Sequence, residues 1–304
     1  MNAALRAVVR ASLKRGAEVI GFDHGYEGII NNEGRPLTST SVGGIIDRGG
    51  TILRTARSKR FMTLEGRQTA VENLHAIGCE GLVVIGGDGS LTGALKLHEE
   101  FDFPVTGVPG SIDNDIAGTD FSIGFDTAVN TAVEAIDRVR DTAYSHERVF
   151  VIEVMGRRNG FIALEAGIAG GAEAVIIPEE EHNMKLICES LREASQKGKR
   201  SSIIIVAEGA GKAQDISDDI HAQTGFETRA VVLGHMQRGG SPTQADRVLA
   251  LRLGAMAANR LLSGYRGEMA GVEGTKVVNH PISYVLSTER EIDRERLWLV
   301  SAMS

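Results

Sequence analysis

Two patterns alternate along the chain: short unbroken apolar runs that end at glycine or an acid, and stretches in which apolar residues recur at helical spacing. The runs predict strands buried on both faces of a parallel sheet, and the periodic stretches predict amphipathic helices. Leu5, Val8, Val9 and Leu13 share one face of a helix over Asn2–Arg15, closed by Gly16. Strands follow at Ala17–Phe22 and Leu82–Ile85, with helices over Glu65–Ile77 and Leu91–Glu100 and a second apolar run at Pro104–Val108. Val129, Ala132, Val133, Ile136 and Val139 continue at helical spacing behind Asp126, read as an N-cap. Further strands are predicted at Val149–Val154, Ala174–Ile177, Ile203–Val206 and Ala230–Leu233, and a helix from Asp246 to Leu262. Such alternation implies parallel-sheet α/β units. Glu134, Asp137, Arg138 and Arg140 read as surface pairs, and Trp298 as a core or interface residue.

Length and composition narrow this picture. A chain of 304 residues exceeds one typical domain and allows two. Hydrophobic content of 42% with six prolines fits a globular enzyme and excludes a disordered chain. A net charge of −7 argues against nucleic acid or an anionic membrane as partner, so an anionic substrate would need a local cluster of arginines. Cys79 and Cys188 stand apart, without metal-ligand spacing, and read as reduced thiols. No apolar run reaches the length of a membrane span and no signal peptide is visible, so a cytoplasmic protein is expected.

The chemistry concentrates between Leu82 and Asp115. The run Leu82–Ile85 meets Gly86-Gly87-Asp88-Gly89-Ser90 just before a helix, a placement that offers backbone N–H groups and a positive dipole end to phosphate. Asp88 would repel phosphate unless Mg²⁺ lay between them. The next apolar run delivers Ser111, Asp113 and Asp115 on a second loop. Two carboxylate loops at the ends of adjacent strands suit phosphoryl transfer: one holds a metal–nucleotide, the other takes a proton from an alcohol. Alone, either loop could be an ordinary turn.

At these residues the sequence resembles the ATP-dependent 6-phosphofructokinases. The likeness runs on through Gly118-Thr119-Asp120, Gly124-Phe125, Glu134-Ala135-Ile136-Asp137-Arg138 and Glu153-Val154-Met155-Gly156-Arg157. It resumes at Ala169-Gly170-Gly171-Ala172-Glu173, at Glu227-Thr228-Arg229, and from Gly234-His235-Met236-Gln237-Arg238 to Pro242. The resemblance implies two doubly wound three-layer αβα domains with parallel-rich sheets and the site in the cleft between them. Residues 1–124 and 237–287 would bind nucleotide; residues 125–236 and 288–304 would bind sugar phosphate.

It also implies residue roles in making fructose 1,6-bisphosphate and ADP from fructose 6-phosphate and Mg-ATP. Asp113 would be the base, with Arg57 and Arg157 neutralising charge on the transferring phosphoryl. Ser111, Asp115, Met155, Gly156 and Glu208 would serve the acceptor, and His235 and Arg238 its 6-phosphate. Arg148 and Arg229 match arginines that reach into a neighbouring subunit's site, which implies a homotetramer. Tyr26, Gly86, Gly87, Gly89, Ser90 and Gly93 would frame ATP, and Asp88 would place Mg²⁺. Arg6, Arg10, Glu173 and Lys199 match effector positions, whereas Ser39 stands where an effector-binding arginine is common.

Two alternatives stay open: a pyrophosphate-dependent enzyme of the same fold, and a catalytically silent, truncated subunit. The pyrophosphate branch typically carries Asp and Lys where this chain has Gly89 and Gly110. In the family, the segment that Met1-Asn2-Ala3-Ala4 matches follows a strand and a Gly-Gly-Asp turn. The comparison therefore predicts that Met1 is a misassigned start and that the 304-residue form is poorly soluble or weakly active.

Overall fold

The computed structural model describes residues 1–146 and 148–303. Glu147 and Ser304, both inside the second assigned domain, lie outside the described residues. The chain forms two compact units. The first comprises Met1–Ile112, Ile116–Gly124 and Gly240–Arg290; the second comprises Asp113–Asp115, Phe125–Gly239 and the residues from Glu291 on.

The first unit opens with α1 (Asn2–Lys14), β1 (Ile20–Phe22), α2 (Tyr26–Ile30), β2 (Gly34–Pro36), α3 (Leu64–Ala76), β3 (Leu82–Gly86), α4 (Asp88–Phe101) and β4 (Val105–Pro109). The second unit then runs α5 (Phe125–His146), β5 (Val149–Val154), α6 (Phe161–Ala169), β6 (Ala174–Ile176), α7 (Met184–Gln196), β7 (Ser202–Ala207), α8 (Ala213–Thr224) and β8 (Thr228–Val232). A short 3₁₀ turn, Gly234–Arg238, ends it. The first unit is completed by α9 (Gln244–Leu262), β9 (Glu268–Glu273), β10 (Lys276–Pro281) and α10 (Ile282–Ser287), and α11 (Arg294–Met303) returns to the second.

In the first unit the strand order is β10-β9-β4-β3, with β3, β4 and β9 parallel and β10 antiparallel. β3 and β4 pair from Leu82 with Val105 to Gly86 with Pro109, so the loops that follow both strands emerge at the same edge. Leu91, Ala94 and Leu97 of α4 pack without exposure against Leu74 of α3 and Phe103. Truncating one such leucine costs about 2–5 kcal/mol. Helix α1 lies on α9 closely enough that a Cβ at Gly254 would sit 2.6 Å from the Ala4 carbonyl oxygen. Asn2, 2% exposed, donates its amide to the carbonyls of Arg48 and Gly49 and accepts from the Ile52 N–H.

In the second unit all strands are parallel, in the order β6-β7-β5-β8. Every residue of β7, Ser-Ile-Ile-Ile-Val-Ala, is buried, as expected of a strand covered on both faces. Helices α7 and α8 supply Cys188, Leu191, Ile216 and Ile220 to the core on one side.

Several expectations need correction. The first strand is only Ile20–Phe22. Helix α4 starts at Asp88 with Gly87 as its cap, three residues before the predicted start. Asp126 lies in the first turn of α5 and is not its cap. The β9–β10 hairpin was not foreseen. Arg140 reaches the carbonyl oxygens of Gly170 and Gly171 rather than a surface acid. Trp298 is 66% exposed and is therefore no core residue.

Candidate active site

In the first unit the two loops are joined at their base. The Gly110 N–H donates to the Gly86 carbonyl at 3.0 Å, and the Ser122 hydroxyl donates to the Ser111 carbonyl at 2.6 Å. Asp88 and Gly89 are exposed in the first turn of α4, where amide N–H groups lack intrahelical acceptors and the helix dipole favours anions. Gly86 is required by packing, because a Cβ would stand 2.5 Å from Ser90 Oγ. At Gly89 a Cβ would meet nothing within 4 Å, and at Gly110 its nearest neighbours would be at 3.5 Å. Neither of these two has a positive φ. The fold itself therefore does not require glycine at either position.

Tyr26 and Gly93 belong together. The Tyr26 ring stacks on Phe61 at 3.9 Å, its hydroxyl donates to the Ser90 carbonyl at 2.5 Å, and burial pushes its phenol up. A Cβ at Gly93 would strike that ring at 2.6 Å. Both residues thus shape the back of α4, with Tyr26 fixing the turn at Ser90. Arg57 is exposed in the segment before α3. Its neighbour Ser58 is anchored at 2.5 Å to Glu27, and that hydroxyl, with Arg60, holds the Glu27 carboxyl below its usual range.

The second unit gathers Asp113, Asp115, Glu208 and Arg238 within electrostatic reach of one another. Asp113 is half-buried, and its carboxyl is raised above the ordinary aspartate range. Burial is the largest cause; Asp115 adds to it, Arg238 opposes it, and Glu208 adds a smaller push upward. Asn114 between the two acids is 2% exposed with φ 54°, a left-handed conformation that asparagine tolerates.

Met155, Gly156 and Arg157 follow β5, and Glu208 follows β7, at the carboxyl ends of parallel strands where open α/β sheets bind ligands. The Glu208 N–H donates to the Val154 carbonyl at 2.9 Å and the Gly209 N–H to the Gly156 carbonyl at 3.1 Å. Gly156 has φ 142°, and a Cβ there would lie 2.5 Å from the Asn159 carbonyl oxygen. Arg157, His235 and Arg238 are exposed, the last two on the Gly234–Arg238 turn. Gln237 on that turn was missed: a lone glutamine carries no signal beyond its place in the Gly234–Pro242 block.

Arg148 and Arg229 meet on Glu227, whose Oε1 lies 2.9 Å from one guanidinium and 2.6 Å from the other. Of the effector candidates, Lys199 pairs with the buried Glu173 at 2.7 Å in the second unit. In the first unit Arg6 donates to the Val42 carbonyl at 2.5 Å, and Arg10 is exposed, as is Ser39.

Parallel-rich sheets with glycine and acidic loops at their strand ends place the molecule in the phosphofructokinase fold class. Phosphofructokinase from Saccharomyces cerevisiae matches it with a TM-score of 0.88 at 34% identity, over 94% of this chain and 43% of that one. A pyrophosphate-dependent phosphofructokinase from Nitrosospira multiformis shares the fold at a TM-score of 0.86 and 20% identity, over 96% of this chain and 82% of that one. The chain belongs to the phosphofructokinase family: residues 1–261 match the family model described as phosphofructokinase. Over all 304 residues it is 54% identical to the ATP-dependent 6-phosphofructokinase of Shouchella clausii and 53% identical to that of Bacillus subtilis, in each case across 95% of the relative.

Proposed function

We propose that the protein transfers the γ-phosphoryl group of ATP to the 1-hydroxyl of fructose 6-phosphate, as a glycolytic kinase. The observation that carries this reading is the half-buried Asp113, flanked by Asp115 and Glu208 and faced by Arg238. A carboxylate whose affinity for protons is raised is a better base than an ordinary aspartate. Asp113 removes the hydroxyl proton; the sugar oxygen forms its bond to the γ-phosphorus as the bond to ADP breaks. Arg57 and Arg157 neutralise charge on the moving phosphoryl group. Met155, Gly156, Glu208, Ser111 and Asp115 hold the sugar, and His235 and Arg238 its 6-phosphate, where a guanidinium fork matches phosphate oxygens.

The nucleotide side rests on Gly86, Gly87, Gly89, Ser90 and Gly93, with Tyr26 behind them. Open space at Gly89, and the absence of a steric demand for glycine at Gly110, support ATP over pyrophosphate, because the fold does not require glycine at either position and a nucleotide would. The 54% identity to an ATP-dependent relative favours the same donor. A kinase of this family needs a divalent metal, and Mg²⁺ is the ion we assign. The chain fits an ion that arrives with its nucleotide: Asp88 is an exposed oxygen donor at a helix start. Among the described residues there is no cluster of three or more His, Cys, Asp or Glu to hold a resident metal. When bound, the ion shields the phosphates.

Arg148 and Arg229 support a homotetramer with shared sites, and Arg6, Arg10, Glu173 and Lys199 an effector site. No helix among the described residues is long and apolar enough to cross a membrane. The test is product identity: phosphorus NMR of a reaction with MgATP should show fructose 1,6-bisphosphate from fructose 6-phosphate and no bisphosphate from glucose 6-phosphate. The reverse preference would overturn the sugar assignment.

A further inference from the structure

Behind the exposed His235 and Arg238, the turn they share carries a buried side chain. Gln237 is 1% exposed, and its Oε1 accepts the backbone N–H of Met155 at 2.7 Å, across 82 residues of sequence. Met155 is 4% exposed and opens the loop that presents Gly156 and Arg157, so its amide has no ready access to water. Backbone pairing between the two segments reaches only as far as the Leu233 N–H and the Glu153 carbonyl, at 3.0 Å. From there Gln237 extends the join by one more bond. At its other end Nε2 is buried without a hydrogen-bond partner among the described residues. An apolar side chain of equal length would avoid that desolvation cost, so the acceptor end is what the position uses.

We propose that Gln237 is a positioning residue: it sets the loop bearing Arg157 against the turn bearing His235 and Arg238. The groups that read the two ends of one phosphorylated sugar are thereby held at a fixed separation. This inference rests on the fructose 6-phosphate reading above. Without the bond, Met155 and the residues after it lose their register to the phosphate-binding turn, while the nucleotide loop after β3 keeps its own contacts.

Gln237→Met keeps length and burial and removes the acceptor. Calorimetric dissociation constants for fructose 6-phosphate and for ATP are measured in the unsubstituted protein, in Gln237→Met, in Arg157→Ala and in the double variant, with melting temperatures alongside. Expected is a loss of about 10-fold in fructose 6-phosphate affinity with ATP affinity within about twofold. In the Arg157→Ala background the same change should cost less than about twofold, because its effect passes through that loop. If Gln237→Met melts early, Gln237→Asn, which withdraws the acceptor by one methylene, carries the same comparison. Unchanged sugar affinity, equal losses for both ligands, or equal losses in both backgrounds would overturn the proposal. Absence of turnover with fructose 6-phosphate in the unsubstituted protein would bring down the parent reading and this one with it. An insensitive Gln237→Met in an active protein brings down this one alone.

Discussion

Asp115 repels the charge on Asp113, and after burial it is the largest cause of the raised Asp113 carboxyl. One buried asparagine in a left-handed turn separates the two acids. Asp113→Asn removes the proposed base while keeping the shape. It should lower kcat by roughly 10²–10⁴-fold with little change in fructose 6-phosphate affinity. Steady-state kinetics with a binding isotherm check this, and near-normal turnover would remove Asp113 from the role.

The same shift fixes a sign for stability. A folded-state pKa above the unfolded value means that the folded protein holds the proton more tightly. The corresponding stability is fully present below the unfolded pKa and is lost as pH rises through the folded one. At neutral pH the ionised Asp113 therefore destabilises the fold. Asp113→Asn should melt higher than the parent at pH 7, and the difference should shrink as the solution is acidified towards the aspartate range. A variant less stable than the parent at neutral pH would contradict the assigned electrostatics.

Open space at Gly89 and tolerable packing at Gly110, where a Cβ would meet its neighbours at 3.5 Å or more, predict that side chains there harm the donor and spare the fold. Gly89→Asp with Gly110→Lys should leave the melting temperature nearly unchanged, since neither glycine has a positive φ and neither added Cβ meets a close contact. ATP-dependent turnover should fall by at least about 10-fold, the scale of one lost favourable contact or one steric conflict. Full ATP activity in the double variant would show that the nucleotide does not use this space.

Arg148 and Arg229 share one oxygen of Glu227. If they serve a neighbouring subunit's site, two inactive proteins can repair each other. Asp113→Asn and Arg229→Ala, unfolded and refolded together, should regain activity that neither shows alone, because some mixed sites would hold both native residues. No recovery in hybrids confirmed by native mass spectrometry would place Arg229 outside a shared site.

The parallel strands were legible because they are continuous apolar runs; β7, buried at every position, is the clearest case. The β9–β10 hairpin was not. Glu268-Met269-Ala270-Gly271-Val272-Glu273 lacks a clean alternation, and Gly271 is there for a long-range reason: a Cβ would lie 2.1 Å from the Gly118 carbonyl oxygen. The start of α4 is hidden in the sequence because Gly-Asp-Gly-Ser looks like turn all through, whereas Gly87 caps and Asp88 already turns helically. The acidic loop could be found from its local residue types. Gln237 and Asn114 could not be valued from sequence, since the use of each depends on burial.

Transfer from ATP to fructose 6-phosphate is put to the test by a donor competition on the purified protein. Fructose 1,6-bisphosphate formation is followed with saturating fructose 6-phosphate and either MgATP or Mg-pyrophosphate, with Asp113→Asn as control. The predicted result is one ADP and one bisphosphate per ATP consumed, turnover with pyrophosphate slower by at least about 10-fold, and near-silence in the control. Faster turnover with pyrophosphate, or no bisphosphate from ATP while the protein is folded, would contradict it.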